Sequence, residues 1–324
     1  MKRLFALCVV RFFFLGISFS QPVHGNLEIT FIDVGQADAI YIKCPTGEHS
    51  MLIDAGDTRY PGSSAHFKAE LPKLANPQGK IDLAIASHPH ADHIGSMKWV
   101  LEHFQVSKYL DDGQDYPSSL YNDLMDKVHE LANANKLVYE PEDNAPADFV
   151  DFCPAPNVTA QVLLPDNEFV DCSNPNNCSV VVRLDYDQTS FLFVGDAEKE
   201  LEQKLLDNSK LKSKLDVDVL KAGHHGSNTS STLEFVKAVS PRFVIVSVGQ
   251  KNVGTNKGYK HPQINSINDF NAVLKTTKLR QGDVEVYDKS KKKWVMKQVK
   301  EGVYFTKEDG NVAILSDGTK IWKQ

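Results

Sequence analysis

The sequence predicts a mixed α/β or α+β fold built as a sandwich of layers, and three observations carry that reading. Strand-like and helix-like patterns are interleaved in both halves of the chain. No internal repeat and no Pro/Ser-rich linker divides it, so one domain over 26–324 is expected. Finally, 324 residues with 41% hydrophobic and 24% charged side chains can bury a large core, which excludes a disordered chain or a coiled coil.

In chain order, short apolar runs over 28–34, 39–43 and 51–55 are separated by Gly35-Gln36 and Pro45-Thr46-Gly47, the pattern of three tightly joined strands. A helix fits 65–74, and a fully apolar strand follows over 82–87. Helical periodicity returns over 94–103 and 118–135. The second half has strands over 160–164, 179–185, 190–194 and 216–222, with a helix over 198–208. Strand and helix patterns also cover 233–247 and 263–274. The tail over 283–322 is strand-like, with Asp309-Gly310 and Asp317-Gly318 as hairpin turns, and the segment from about 280 to 324 is expected to form a β-rich, lysine-rich extension.

Residues 1–25 have the form of a secretion signal. Lys2 and Arg3 precede apolar runs over 5–10 and 12–19, and small residues follow at 18–20 and at Gly25. Arg11 shortens the longest apolar run well below the roughly 18 residues of a membrane span. The segment is expected to be cleaved, giving a secreted, extracellular or periplasmic protein with no stable membrane association. Cys8 lies within it. Cys44, Cys153, Cys172 and Cys178 remain, and an even count in an exported chain suggests disulfides. Cys172 and Cys178 flank a turn-rich segment and can close a small loop, leaving Cys44 with Cys153; spacing alone allows all three connectivities.

The chemistry concentrates at the end of the apolar strand over 82–87, in Ser87-His88-Pro89-His90-Ala91-Asp92-His93-Ile94-Gly95. Three imidazoles and a carboxylate within six residues, leaving a buried strand, suit divalent cations. Two further strand ends offer partners: Gly195-Asp196, and Gly223-His224-His225-Gly226-Ser227. An aspartate from one can bridge two cations, with an imidazole from the other completing the set. Asp196 also suits a helix N-cap, and one of two adjacent histidines is expected to face elsewhere.

These residues resemble a known family. Ser-His-Pro-His-Ala-Asp-His-Ile-Gly matches the signature of metallo-β-lactamase-fold hydrolases. The ordered motifs Phe31-Ile32-Asp33-Val34-Gly35-Gln36-Ala37-Asp38-Ala39, Leu52-Ile53-Asp54-Ala55-Gly56, Val194-Gly195-Asp196, Lys221-Ala222-Gly223-His224-His225-Gly226-Ser227 and Tyr259-Lys260-His261-Pro262 are similar to the extracellular hydrolase domain of ComEC-type competence (DNA-uptake) proteins. The resemblance implies a four-layer αββα sandwich. It implies that His88 and His90 hold one Zn2+, that Asp92 and His93 with His225 or His224 hold a second, and that Asp196 bridges them. Mn2+ is the alternative ion, and one metal the alternative number, because Asn176-Asn177-Cys178-Ser179 stands where many relatives place a further histidine. Asp54 is expected to orient the histidine loop, and Asn176 to sit beside the metals.

The expected activity is that of a metal-dependent phosphodiesterase or nuclease: a metal-activated water attacks phosphorus, Asp92 orients it, and His224 or His261 protonates the leaving group. Hydrolysis of phosphocholine or teichoic esters, a lactone or a β-lactam is the alternative within the fold, and a metal-free binding module a third class. Taken as a total, the net charge of −6 disfavours an anionic partner. It resolves, however, into 15 acidic and 3 basic residues over 101–172 and 12 basic and 4 acidic over 251–300. Lys289, Lys291, Lys292, Lys293, Lys297 and Lys300 surround Tyr287 and Trp294, which suits an anionic phosphoester such as single-stranded DNA or RNA. A solvated hairpin protecting an edge strand is the competing reading.

Overall fold

The structure, a computed structural model, describes residues 25–141, 149–163 and 172–324; the expected signal, apart from Gly25, lies outside the described residues. Strands β1 (Leu27–Phe31), β2 (Ile40–Lys43) and β3 (Ser50–Ile53) form an antiparallel meander. β4 (Lys80–Ile85), β5 (Gln105–Asp111) and β6 (Val138–Pro141) extend the same sheet in parallel. The second sheet repeats this plan. β7 (Phe149–Val150), β8 (Val158–Val162), β9 (Val182–Tyr186) and β10 (Thr189–Phe193) run antiparallel, then β11 (Val219–Lys221) and β12 (Phe243–Val246) run parallel to β10. Strands β13 (Val284–Asp288) and β14 (Lys293–Lys297) form a separate hairpin. β15 (Val303–Phe305) pairs with β12, while β16 (Val312–Ser316) and β17 (Ile321–Lys323) join the first sheet beside β1.

Parallel neighbours need a crossover, and helices provide it. Over the first sheet lie α1 (Pro61–Leu74), α2 (Ala91–Ile94), α3 (Met97–His103) and α4 (Ser119–Asn133). Over the second lie α5 (Lys199–Asp207), α6 (Ser209–Lys212), α7 (Leu233–Val239) and, after the one-turn α8 (Asn256–Tyr259), α9 (Ile264–Val273). A last turn, α10 (Thr306–Asp309), links β15 to β16. Three apolar cores result: one between the sheets, and one beneath each helical layer. Alternation along β10 shows how a single strand serves two of them. Phe191 and Phe193 point between the sheets, where Phe193 meets the Phe31 ring at 6.1 Å, and Leu192 and Val194 face the helices. Burial on both faces is why the strand reads as one apolar run. The four-layer αββα arrangement is thus present.

Of the three connectivities that spacing left open, the one with the short Cys172–Cys178 loop is formed. Cys44–Cys153 joins the end of β2 to the segment after β7 and so ties one sheet to the other; Cys172–Cys178 closes a loop six residues long. Four expectations change. The helix over 94–103 is two pieces, α2 and α3, broken at Gly95-Ser96. A β5 strand was not foreseen, because Ser107 and Lys108 interrupt its apolar pattern. Residues 175–178 form a 3₁₀ turn, so the strand expected from 179 starts at Val182. Asp309-Gly310 is not a hairpin turn, since β15 and β16 belong to different sheets; Asp317-Gly318 does turn the β16–β17 hairpin. From residue 303 onward the C-terminal segment is woven into both sheets, and β13–β14 alone stands outside them.

Asp111 and Asp112 end β5 in a buried position. Asp111 accepts hydrogen bonds from the Gly113 N–H and the Tyr139 hydroxyl, both at 3.1 Å, and Asp112 from the Gln114 N–H at 3.3 Å. Burial pushes the Asp111 carboxyl up to about 6, and burial together with the neighbouring Asp111 charge pushes Asp112 up to about 8. A carboxyl raised in the folded state stabilises fully below its unfolded value of ~3.9 and loses that contribution as pH rises through the folded value. Thermal stability should therefore fall between about pH 4 and pH 8, and Asp112→Asn should flatten that slope. Melting curves across this range check it; an unchanged slope in the variant contradicts it.

Candidate metal centre

The C-terminal ends of the parallel strands open on one edge of the sandwich, where ligand sites of open α/β sheets lie. β3 ends in Asp54, β4 in Ser87 and the His88–His93 loop, β10 in Gly195-Asp196, and β11 in the turn carrying His224 and His225. The loop after β1 brings Asp38 to the same place. Backbone bonds lock these loops together: Asp38 N–H donates to Asp92 O at 3.1 Å, Gly56 N–H to Asp38 O at 2.8 Å, and Ala55 N–H to His93 O at 2.7 Å. Gly95 N–H donates to Gly56 O at 2.9 Å, and a Cβ on Gly95 would stand 2.5 Å from that oxygen. Only glycine permits so close an approach.

Asp54 organises the histidine loop. Its carboxylate accepts the Ser87 N–H at 2.7 Å and the Ser87 hydroxyl at 2.8 Å, and lies 2.7 Å from His93 Nδ1. That contact turns His93 Nε2 towards Asp196, 3.3 Å away. His225 is fixed in the same way: its Nδ1 meets Ser247 O at 2.9 Å, and its Nε2 comes within 3.5 Å of Asp196 and 3.7 Å of Asp92. Asp38, His93, Asp196 and His225 are all buried, and each offers a donor atom within 4.8 Å of the others. His93 Nε2, His225 Nε2 and Asp196 Oδ1 make no hydrogen bond.

Buried polar atoms left unpaired are costly, and these converge on one point. Two imidazole nitrogens and two carboxylates form a donor set suited to Zn2+ or Mn2+. The residues therefore fit a divalent cation.

The electrostatics agree with that fit. Burial alone lowers a histidine, but the Asp196 and Asp54 carboxylates hold His93 well above its usual range, and Asp196 and Asp38 raise His225. Conversely, Asp92 and Asp196 are held well below the usual carboxylate range despite burial by the surrounding imidazoles, Asp92 by His225 and His93 and Asp196 by His225, His93 and His224. Burial and neighbouring imidazoles push His88 down, and burial pushes His90 down. His88 Nε2 lies 3.0 Å from His90 Nδ1.

All the expected residues reach this edge, in unequal roles. His93, Asp196 and His225 form the tight cluster, with Asp92 beside His225. His88 and His90 stand next to it, with the His88 and His93 rings 4.1 Å apart. Both members of the His224-His225 pair face Asp196, contrary to the expectation for adjacent side chains. Each adopts a left-handed backbone, φ 45° and 53°, and this reverses the second ring. His224 Nε2 is 3.7 Å from Asp196, and its Nδ1 is 3.0 Å from Glu198. His261 stands 3.1 Å from the Gln36 amide, and burial keeps its imidazole well below its usual range. Asn176 donates to Glu198 at 3.1 Å.

Four contributors had no role assigned from the sequence: Asp38 and Lys221, which lie within the quoted motifs, and Glu198 and Arg59. Lys221 is buried against Asp38 and donates to Gly195 O at 2.7 Å. Its lysine inside an apolar strand, like the aspartate between Ala37 and Ala39, was the available signal. Arg59 binds Asp57 through Nε and Nη2 and reaches Asp92 at 3.5 Å.

Comparison with known proteins agrees with this architecture. The model of the metallo-β-lactamase superfamily matches residues 32–250. The chain is similar to the ComE operon protein 3 of Bacillus subtilis, 29% identical over 248 residues covering 72% of this chain and 29% of that protein. It is 27% identical over 241 residues to the recombination protein 2 of Haemophilus influenzae, covering 72% of this chain and 26% of that protein. The chain thus spans less than a third of the length of these relatives. Among solved structures, the metallo-β-lactamase fold protein YhfI from Bacillus subtilis aligns with a TM-score of 0.49 at 10% identity, covering 92% of this chain and all of that one. Among the described residues no helix is long and apolar enough to cross a membrane.

Replacing Asp54 by Asn should keep the fold but weaken the orientation of His93, lowering Zn2+ affinity by roughly 10- to 100-fold. Equilibrium dialysis with circular dichroism as the fold control checks this; unchanged affinity would show that Asp54 does not set the ligand geometry.

Proposed function

The chain belongs to the metallo-β-lactamase superfamily and is a metal-dependent hydrolase, and from that premise we propose that it is an exported phosphodiesterase acting on single-stranded nucleic acid. The observation that carries the reading is the pair of buried, unpaired nitrogens, His93 Nε2 and His225 Nε2, aimed at Asp196. In this proposal His93, Asp92, Asp196 and His225 would hold one cation, and the adjacent His88 and His90 would hold a second. Asp38, already paired with Lys221, tunes the charge of the set. Such cations acidify a water molecule and neutralise charge on the attacked group.

The remaining steps fall to side chains. Asp92, held between Arg59 and His225, orients the attacking water. Arg59, which binds Asp57 through Nε and Nη2 and reaches Asp92, is placed to bind a non-bridging phosphate oxygen. His224, half-buried and backed by Glu198, protonates the leaving oxygen. His261 was the other candidate for that step. Burial disfavours its protonated form, so it is better suited to accept a hydrogen bond or ligate than to donate a proton.

The nucleic-acid reading rests on the lysine-rich hairpin. β13–β14 is a separate two-stranded hairpin that pairs with no strand of either sheet. It is tied instead to the metal edge, through a bond from Tyr287 N–H to Pro262 O at 2.9 Å. Lys260 lies 5.0 Å over the Tyr287 ring, and Lys251 and Lys307 lie 5.9 and 5.7 Å from the Trp294 ring. Lys289, Lys291, Lys292 and Lys293 are exposed at its tip. Tyr287 is buried and Trp294 half-buried, so it is the exposed lysines leading from the metal edge that favour a polyanion over a lactone or β-lactam. Two disulfides support an oxidising compartment, in keeping with export.

Asp92→Ala and His93→Ala should each abolish hydrolysis of single-stranded DNA and of bis-p-nitrophenyl phosphate while the circular dichroism spectrum is kept. Cleavage of a β-lactam or lactone but of neither phosphodiester by the wild type would overturn the substrate assignment, and activity retained by either variant would overturn the site.

A further inference from the structure

Next to the metal edge lies a cleft of about 260 Å³ whose walls include Asp33, Tyr60, Ser63, His66, Gln250 and Val253. Two of its lining residues are shared with the metal edge. Gln36 faces both, with Nε2 3.1 Å from His261 Nδ1 and Oε1 accepting the Gly249 N–H at 3.3 Å. Asp57 also faces both, because it holds Arg59, whose guanidinium reaches Asp92 at 3.5 Å. A group attached to a phosphate at Arg59 therefore lies beside this cleft, which Arg59's partner Asp57 lines.

Its lining is chemically specific. Tyr60 is 39% exposed, and two glycines leave room beside its ring. A Cβ on Gly254 would stand 3.2 Å from Tyr60 Cγ, and one on Gly62 would stand 3.2 Å from Cε1. Gly254 also has φ +55°, a conformation that favours glycine. Tyr60 is thus an exposed aromatic residue lining the cleft, with no neighbouring side chain at either glycine. The Asp33 carboxylate lines the same space; one oxygen accepts the Gly35 N–H at 3.3 Å, and it makes no salt bridge among the described residues.

We propose that this cleft is a nucleobase subsite that prefers guanine, holding the base adjacent to the scissile phosphodiester, with Tyr60 as its stacking face and Asp33 reading its edge. Guanine presents two adjacent N–H donors, at N1 and N2, that match the two oxygens of one carboxylate; the other bases present no such donor pair to it. Stacking on an aromatic side chain contributes sequence-tolerant affinity, and the carboxylate adds discrimination. The inference rests on the phosphodiesterase reading, since it is the phosphate at Arg59 that delivers the base to the cleft.

Two measurements on the purified full chain separate the claims. The first is binding of guanosine 5′-monophosphate and uridine 5′-monophosphate by calorimetry, which requires no turnover. The guanine nucleotide should bind the tighter, Tyr60→Ala should weaken it roughly tenfold, and Asp33→Asn should remove the difference between the two. The second is hydrolysis, with Mn2+ or Zn2+ supplied, of dinucleotides differing in one base and of bis-p-nitrophenyl phosphate, which has no base. Here Tyr60→Ala should raise KM about tenfold more for the guanine dinucleotide than for the base-free diester. Equal binding of both nucleotides, or an equal effect of Tyr60→Ala on both diesters, overturns the subsite. If no phosphodiester is cleaved, the proposed function falls, and the binding measurement alone still decides whether the cleft takes guanine.

Discussion

The structure depends on how it accommodates buried negative charge. Asp38, Asp54, Asp92 and Asp196 are all within 7% of full burial at one edge of the sandwich, and among the described residues Lys221 is the fully buried lysine beside them. Carboxylates in a low-dielectric interior are tolerated only when paired or when coordinating a metal. Lys221 answers Asp38, and the half-exposed Arg59 answers part of Asp92. What remains is met by His93 and His225, whose imidazoles the carboxylates draw towards the protonated form. A divalent cation satisfies the same charge more fully, and it takes up the two nitrogens that otherwise have no partner. Affinity for the cation is then expected to weaken as pH falls, because protons compete for those nitrogens.

This requirement explains the surrounding fold. Parallel strands deliver several chain ends to one edge, and helical crossovers keep that edge clear while closing the outer faces. Backbone bonds between loops, the Gly56–Gly95 approach, and the left-handed His224 and His225 set the side chains to within hydrogen-bonding distances. The Cys44–Cys153 bridge joins the sheets that contribute the two halves of the donor set, His93 from the first and Asp196 with His225 from the second. Packing between Phe31 and Phe193 serves the same end by fixing one sheet against the other.

Much of this was legible in the sequence because the signals were local. The His88–His93 loop follows an apolar strand directly, and its spacing declared a metal site. Asp196 and His225 were legible for the same reason, each marking a strand end. Asp38 and Lys221 were not, because a buried ion pair between residues 38 and 221 has no periodicity and no local spacing; it exists only once two loops from different sheets meet. Strand β5 escaped because Ser107 and Lys108 break its apolar run, while its pairing partners on both sides impose the strand regardless. The backbone of His224 and His225 was equally hidden, since left-handed residues at a non-glycine pair are set by tertiary contacts.

The central claim, that buried carboxylates and unpaired imidazoles build a divalent-cation site, is tested most directly by titrating the chelator-treated full chain with Zn2+ and with Mn2+ by calorimetry in buffers of different ionisation enthalpy. The account predicts saturable binding of one or two equivalents, accompanied by proton release near neutral pH as the cation displaces protons from His93 and His225. A folded chain that takes up neither ion at micromolar concentration, or takes one up without releasing protons, would contradict it.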